Sequence, residues 1–141
     1  MPRPEWNERY VTGDTPWDTG EPDGHLVKLV GSGAVAQGRA LEVGCGTGTN
    51  ALWLARHGFA VVGIDVAPAA VENARAKAAD AKLDCRFERL DFLNDTVAGG
   101  PFDFVFDRGC FHVFDQHEDR RRFAARVAAL LATGGRWLSL V

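Results

Sequence analysis

The residues with the clearest capacity for chemistry lie in a run of alternating glycines, Leu41-Glu42-Val43-Gly44-Cys45-Gly46-Thr47-Gly48-Thr49-Asn50. Glycine at positions 44, 46 and 48 lets a backbone turn sharply from strand to helix and approach a ligand with no Cβ in the way. The helix that follows offers free N–H groups and a partial positive charge, suited to a carboxylate or a phosphate. Such a run also serves, by itself, as a tight strand–helix turn with no ligand. Its acidic neighbours weigh against that reading. Asp65 closes the next apolar run about twenty residues on, where a carboxylate can accept hydrogen bonds from both hydroxyls of a ribose. Asp91 follows the third run, in Leu90-Asp91-Phe92-Leu93, and Asp107 closes the fourth. A dinucleotide fingerprint, G-x-G-x-x-G, needs glycine where this chain has Thr49. Thr49 and Glu42 therefore disfavour an NAD enzyme, although the distance to Asp65 would suit one.

These side chains need a scaffold that brings strand ends together. After residue 38, short apolar runs alternate with helical stretches, the signature of βαβ units and a parallel sheet. Strands are expected at 40–43, 60–65, 85–90, 102–107 and from 137 onward. Helices are expected at about 48–57, closed by Gly58, at 68–81, opened by Pro68, and at 118–131, stopped by Gly134-Gly135. Right-handed crossovers give an α/β, Rossmann-like three-layer sandwich with a mostly parallel sheet ordered 3-2-1-4-5. The order reverses between strands 1 and 4, so a ligand crevice should open at their C-terminal ends. Residues 1–38 are expected to form an N-terminal lid or cap segment, with an amphipathic helix near 25–35. Residues 39–141 are expected to form the ligand-binding domain.

The pattern E-x-G-x-G-x-G resembles motif I of the class I S-adenosylmethionine-dependent methyltransferases. Trp6, Tyr10 and Trp17, the last within Thr15-Pro16-Trp17-Asp18-Thr19-Gly20, are similar to the N-terminal segment of the thiopurine methyltransferase superfamily, in particular its halide/thiol branch. Tyrosine stands at position 10 where that family usually has tryptophan. The resemblance implies S-adenosylmethionine as cofactor. Glu42 would hold its amino-acid end, Gly44, Gly46 and Gly48 would pass beside it, and Asp65 would meet the ribose. Asp91 and Phe92 would meet the adenine, and Asp107 completes the strand-end acids of the cofactor site. The three aromatics would wall the pocket, since ring faces attract a sulfonium cation by roughly 0.5–2 kcal/mol. In such enzymes the loop after strand 4 meets the acceptor, which makes Arg108, His112 and Cys110 the candidate contacts there. Arg108 and His112 are the candidate catalytic pair, with Arg108 steering an anionic acceptor. Cys110 reads more readily as a small buried hydrophobe. His112, Cys110 and His117 have no recognisable zinc spacing, so no metal is expected. The implied function is methyl transfer to a small nucleophile, with thiol, halide or chalcogen anion favoured. The alternative is a non-catalytic or truncated cofactor-binding module.

Composition narrows the partners. The chain has 141 residues, 46% hydrophobic and 25% charged, with formal net charge −3. That is ordinary globular composition for about one domain. Basic residues cluster only at Arg120, Arg121 and Arg122, which argues against a nucleic-acid partner. No run approaches ~18 apolar residues, so no membrane span is expected. Three cysteines without a C-x-x-C pair suit a reducing compartment. With no apolar leader in the first residues, the expected location is cytoplasmic. The sequence ends within the fifth strand, without the C-terminal antiparallel strand pair usual in the family. Truncation, or a homodimer formed through the exposed strand-5 edge, is the expectation there.

Overall fold

The computed structural model describes residues 5–141. Residues 1–4, which enter both the leader reading and the expected N-terminal segment, lie outside the described residues. Five strands form one parallel sheet: β1 (Arg39–Val43), β2 (Ala60–Asp65), β3 (Cys85–Arg89), β4 (Phe102–Arg108) and β5 (Leu131–Leu140). Their spatial order is β3-β2-β1-β4-β5, as the crossover argument requires. Helices α3 (Thr49–Arg56) and α4 (Pro68–Ala81) carry the chain one way from β1. The chain then returns to the far side of β1 for β4, and α5 (His117–Leu130) leads on to β5.

Right-handed crossovers that step in opposite directions place their helices on opposite faces of the sheet. Two apolar layers result. Ala51 and Leu54 of α3 and Val71 and Ala74 of α4 pack with Phe87, Phe104 and Phe106 on one face. Phe123 and Val127 of α5 pack with Leu41, Val43, Ile64 and Val105 on the other. Central strands covered on both faces read as continuous apolar runs, which is why Val61, Val62 and Ile64 are all buried.

Gly48 fixes the join between the glycine loop and α3. Its φ is +86°, and a Cβ there would stand 2.8 Å from Phe87 Cζ and 3.0 Å from the Ala74 methyl. Gly48→Ala combines left-handed strain of roughly 1–2 kcal/mol with overpacking of similar size. A stability loss on the order of 3 kcal/mol is therefore expected from denaturant midpoints. A loss below about 0.5 kcal/mol would show that this loop is not clamped between β3 and α4.

β2 and α4 have the expected bounds, and three segments differ. Helix α1 (Trp6–Thr12) has seven residues and no side-chain N-cap, so local signals do not mark it. It is held from outside: the Ala69 N–H donates to Asn7 Oδ1 at 2.8 Å. Helix α2 (Gly24–Gly31) starts at Asp23, whose carboxylate accepts from the N–H groups of His25 and Leu26, and it stops short of residue 35. At the last junction α5 ends at Leu130, because Leu131 already pairs with Phe102 of β4. The register then shifts and pairing resumes at Arg136 opposite Phe104, so Gly134-Gly135 lie in the irregular part of β5 and do not stop the helix. No helix among the described residues is long and apolar enough to cross a membrane.

Candidate active site

The order in which the strands are connected reverses between β1 and β4, and a cavity of about 660 Å³ lies there. Glu42, Gly44, Gly46 and Asp65 line it from the ends of β1 and β2 and the glycine loop. Asp91 and Phe92 line it beyond β3, Arg108 at the end of β4 and Cys110 just beyond it. Trp6, Tyr10 and Trp17 close it from the N-terminal segment. The volume falls in the ~300–1,000 Å³ range of small-molecule sites.

Glu42 is the most unusual group in this cavity. It is 2% exposed, and its Oε1 has no hydrogen-bond partner among the described residues. Burial disfavours its charged form, Asp65 and Asp107 add like charge, and the nearby Asn50 and Ala51 offset this only in part. Its pKa is pushed well above the usual carboxylate range. A buried polar atom left unpaired costs about 1–3 kcal/mol, more when charged. Such an atom on a cavity wall calls for a donor from the ligand, best a cation.

Asp65 is 8% exposed and shapes the loop opposite. Its Oδ2 accepts from the Gly46 N–H and its Oδ1 from the Ala67 N–H, both at 2.9 Å. Burial raises its pKa while these backbone donors pull it back. With Val66 as a further backbone donor, the carboxylate keeps part of its accepting capacity for a ligand hydroxyl. Asp91 forms a local turn, its carboxylate accepting from the Leu93 N–H and the Asn94 side-chain amide. The Phe92 ring belongs to the core, stacked edge-on against Phe123 at 4.7 Å.

The aromatic trio is one cluster. Trp17 meets Trp6 edge-on at 5.4 Å and Tyr10 at 5.8 Å, and its indole N–H donates to the Tyr10 hydroxyl at 3.1 Å. The Tyr10 hydroxyl sits where a Cβ on Gly46 would be 2.8 Å away, so only glycine at position 46 lets the ring close over the loop. Burial, with Asp65 nearby, pushes the Tyr10 phenol upward, so it stays neutral.

Four of the expected site residues stand otherwise than the sequence suggests. Arg108 lines the cavity, but its Nε pairs with Asp23 Oδ2 at 3.1 Å and its Nη1 donates to the Trp17 carbonyl. Its charge is already matched, which weakens the expectation that it steers an anion. Asp107 is fully buried, with Oδ2 accepting from Trp137 Nε1 at 2.8 Å and Oδ1 from the Phe111 N–H. It ties β5 and the following 3-10 turn (Phe111–Val113) to β4 and does not line the cavity. His112 is exposed on that turn, outside the cavity lining, and Gly48 packs beneath the loop against Phe87.

Sequence reasoning missed three polar residues that dock the N-terminal segment. Asp18 accepts from Thr47 Oγ1 at 2.7 Å, and Lys77 donates to the same hydroxyl at 3.0 Å. Asp23 caps α2, pairs with Arg108, and donates its N–H to Asn50 Oδ1 at 2.8 Å. Asp23 precedes a helix at an N-cap position, which is a legible signal. Nothing local marks Asn50 or Asp18, because their partners lie far along the chain.

A parallel 3-2-1-4-5 sheet with a glycine loop after β1 is the class I methyltransferase fold. Residues 40–135 match the family model described as "Methyltransferase domain", and the chain belongs to that family. It is 35% identical over 138 residues to the "Probable thiol methyltransferase 2" of Arabidopsis thaliana, covering 96% of this chain and 60% of that protein. It is 34% identical over 127 residues to the "2-heptyl-1-hydroxyquinolin-4(1H)-one methyltransferase" of Mycobacteroides abscessus, covering 89% and 55%. A solved structure described as "Conversion of a Disulfide Bond into a Thioacetal Group during Echinomycin Biosynthesis" superposes with a TM-score of 0.76 at 39% identity, covering 83% of this chain and 47% of that one. The chain thus spans 60% or less of the length of these relatives.

Proposed function

We propose that this chain binds S-adenosylmethionine and directs its methyl group to a small polarizable nucleophile, with thiol, halide or chalcogen anions favoured. The observation that carries the reading is the partnerless Oε1 of buried Glu42, on the wall of the same cavity that Trp17 closes. The ammonium of an amino-acid ligand supplies the donor that this oxygen lacks. Asp65, on the cavity lining, accepts from the ribose hydroxyls. The backbone at Asp91 and Phe92 borders the adenine, while the Asp91 carboxylate keeps its turn. S-adenosylmethionine, when bound, supplies an activated methyl on a sulfonium sulfur.

Trp6, Tyr10 and Trp17 exclude water from that end of the cavity and present ring faces to the cation, a preference of about 0.5–2 kcal/mol. Holding both reactants in line is the main contribution of the protein, worth up to ~7–11 kcal/mol in favourable cases. A thiolate or halide attacks without a general base. That suits a β4 end where Asp107 is committed to Trp137 and Phe111 and His112 lies outside the cavity lining. A larger aromatic acceptor is the second reading, supported by the apolar lining from Val113, Phe114 and Phe123. Three free cysteines support work in a reducing, cytoplasmic compartment.

The test is turnover: the chain is incubated with S-adenosylmethionine and, separately, a small thiol, iodide, selenite and a hydroxyquinolone. Acceptor-dependent formation of S-adenosylhomocysteine with the thiol or iodide is expected. Product only with the hydroxyquinolone would favour the second reading. Binding without acceptor-dependent product would leave a non-catalytic cofactor module.

A further inference from the structure

The turn that follows β3 uses all but one of its backbone donors. The Leu90 N–H donates to the Asp65 carbonyl at 3.0 Å, and the Asp91 N–H to Asp95 Oδ2 at 2.8 Å. The Leu93 N–H donates to Asp91 Oδ1 at 3.1 Å. The N–H groups of Asn94 and Asp95 both reach the Asp91 carbonyl, at 3.1 and 2.8 Å. In this stretch only the Phe92 N–H has no acceptor among the described residues. Phe92 is buried and lines the cavity. Buried backbone donors are paired as a rule, so this one calls for an acceptor on the ligand. Two arginines tie the turn to α5. Arg122 Nη2 donates to the Leu93 carbonyl at 2.8 Å and to Asn94 Oδ1 at 3.0 Å. Arg126 Nη2 donates to the Asp95 carbonyl, and its guanidinium lies over the Phe92 ring, 5.5 Å from the centroid.

We infer that Asp95, held by Arg126 of α5, is a positioning residue for nucleobase selection: its carboxylate takes the Asp91 N–H and leaves the Phe92 N–H as the single donor for a ring nitrogen of the base. This rests on the proposal that the cavity holds an adenosyl ligand. Asp91 and Asp95 close the turn reciprocally, N–H to carboxylate one way and N–H to carbonyl the other. That double tie fixes the peptide between residues 91 and 92, and with it the Phe92 donor. Without the Asp95 carboxylate, the Asp91 N–H becomes a second loose donor and the turn has no fixed pattern to present. One fixed donor separates two bases of the same shape. Adenine has a bare acceptor nitrogen at N1, beside its amine. Hypoxanthine carries a hydrogen at N1 and a carbonyl in place of the amine, which sets donor against donor. A site built around a hydrogen bond rejects an analogue that cannot make it, because the protein group is then left unpaired.

Calorimetric titration with S-adenosylhomocysteine and with its deaminated counterpart, S-inosylhomocysteine, tests this in the wild-type chain, D95A and D95N. The readout is the ratio of the two affinities, because damage that weakens both ligands alike leaves that ratio unchanged. The wild-type chain is expected to prefer the adenine ligand by at least about thirtyfold. In D95A the preference is expected to fall below about fivefold, through weaker binding of S-adenosylhomocysteine. D95N keeps an oxygen for the Asp91 N–H, so its preference is expected to stay within about threefold of wild type. Thermal melts show whether each variant is folded. If D95A does not fold, R126M takes its place: it keeps the Asp95 carboxylate, loses the tie to α5, and is expected to lower the preference by at least about threefold. Wild-type preference in the folded one of these two variants would overturn the inference, as would its loss in D95N. A wild-type chain that binds both ligands equally well would also overturn it. A folded wild-type chain that binds neither ligand would instead overturn the proposed function, and the inference with it.

Discussion

Asp65→Ala is expected to weaken S-adenosylhomocysteine binding by at least about a hundredfold while leaving the chain folded. The size follows from two losses at one position. Hydrogen bonds to a charged acceptor are worth roughly 1.5–3 kcal/mol each, and both ribose hydroxyls would lose one. The Gly46 N–H, now held by Asp65 Oδ2, would also lose its anchor, so the glycine loop would no longer be held for the ligand. Global stability should change much less. The carboxyl that disappears is one whose pKa burial raises, so its removal relieves a desolvation cost as it frees its backbone donors. Titration calorimetry beside a thermal melt separates the two effects. Unchanged affinity would remove Asp65 from the site.

The second large effect is expected at Glu42→Gln, and it depends on pH. The folded-state pKa of Glu42 is raised, so the native chain keeps a proton that the unfolded chain releases above the ordinary value of about 4.3. Where the native state binds more protons, stability falls as pH rises. The Glu42 contribution is thus fully present below the unfolded pKa and is lost as pH climbs through the raised folded value. Each pH unit inside that window is worth up to about 1.4 kcal/mol. Glutamine cannot ionise, so the ligand-free variant should show a shallower fall with pH and greater stability than the wild type at the alkaline end. Asp65 and Asp107 shift in the same direction, so some slope should remain. Ligand affinity should move the other way. Without the carboxylate the ligand ammonium loses a charged partner, a loss of about ten- to a hundredfold. Denaturant midpoints across pH 5–9 and calorimetry at one pH measure both, the pH range being roughly that of ordinary stability studies. A pH slope identical to wild type would show that Glu42 does not hold its proton in the folded chain.

Much of this was legible in the sequence because periodicity and turn chemistry act locally. Pro68 at the first turn and an alanine-rich run gave α4 its bounds, and the apolar run ending at Asp65 gave β2. The sheet order followed from crossover handedness, with no side chain consulted. The strand-end acids Glu42 and Asp65, and the trio Trp6, Tyr10 and Trp17, all reached one cavity. What local signals could not supply was partnership across the chain. Arg108 reads as a free cation until Asp23, eighty-odd residues earlier, is placed against it at 3.1 Å. Asp107 reads as a site acid until the Trp137 indole takes its carboxylate. Helix α1 has seven residues and no cap of its own, so tertiary contact decides it. The start of β5, expected at 137, was misplaced for a related reason, because Leu131 already pairs with Phe102 of β4.

The most direct test of the central claim is a calorimetric titration of the purified chain with S-adenosylmethionine and S-adenosylhomocysteine, with NAD as the control. Glu42, Asp65 and the glycine loop predict micromolar binding of both adenosyl ligands and none of NAD. A folded chain that binds NAD, or that binds neither adenosyl ligand, would contradict the account.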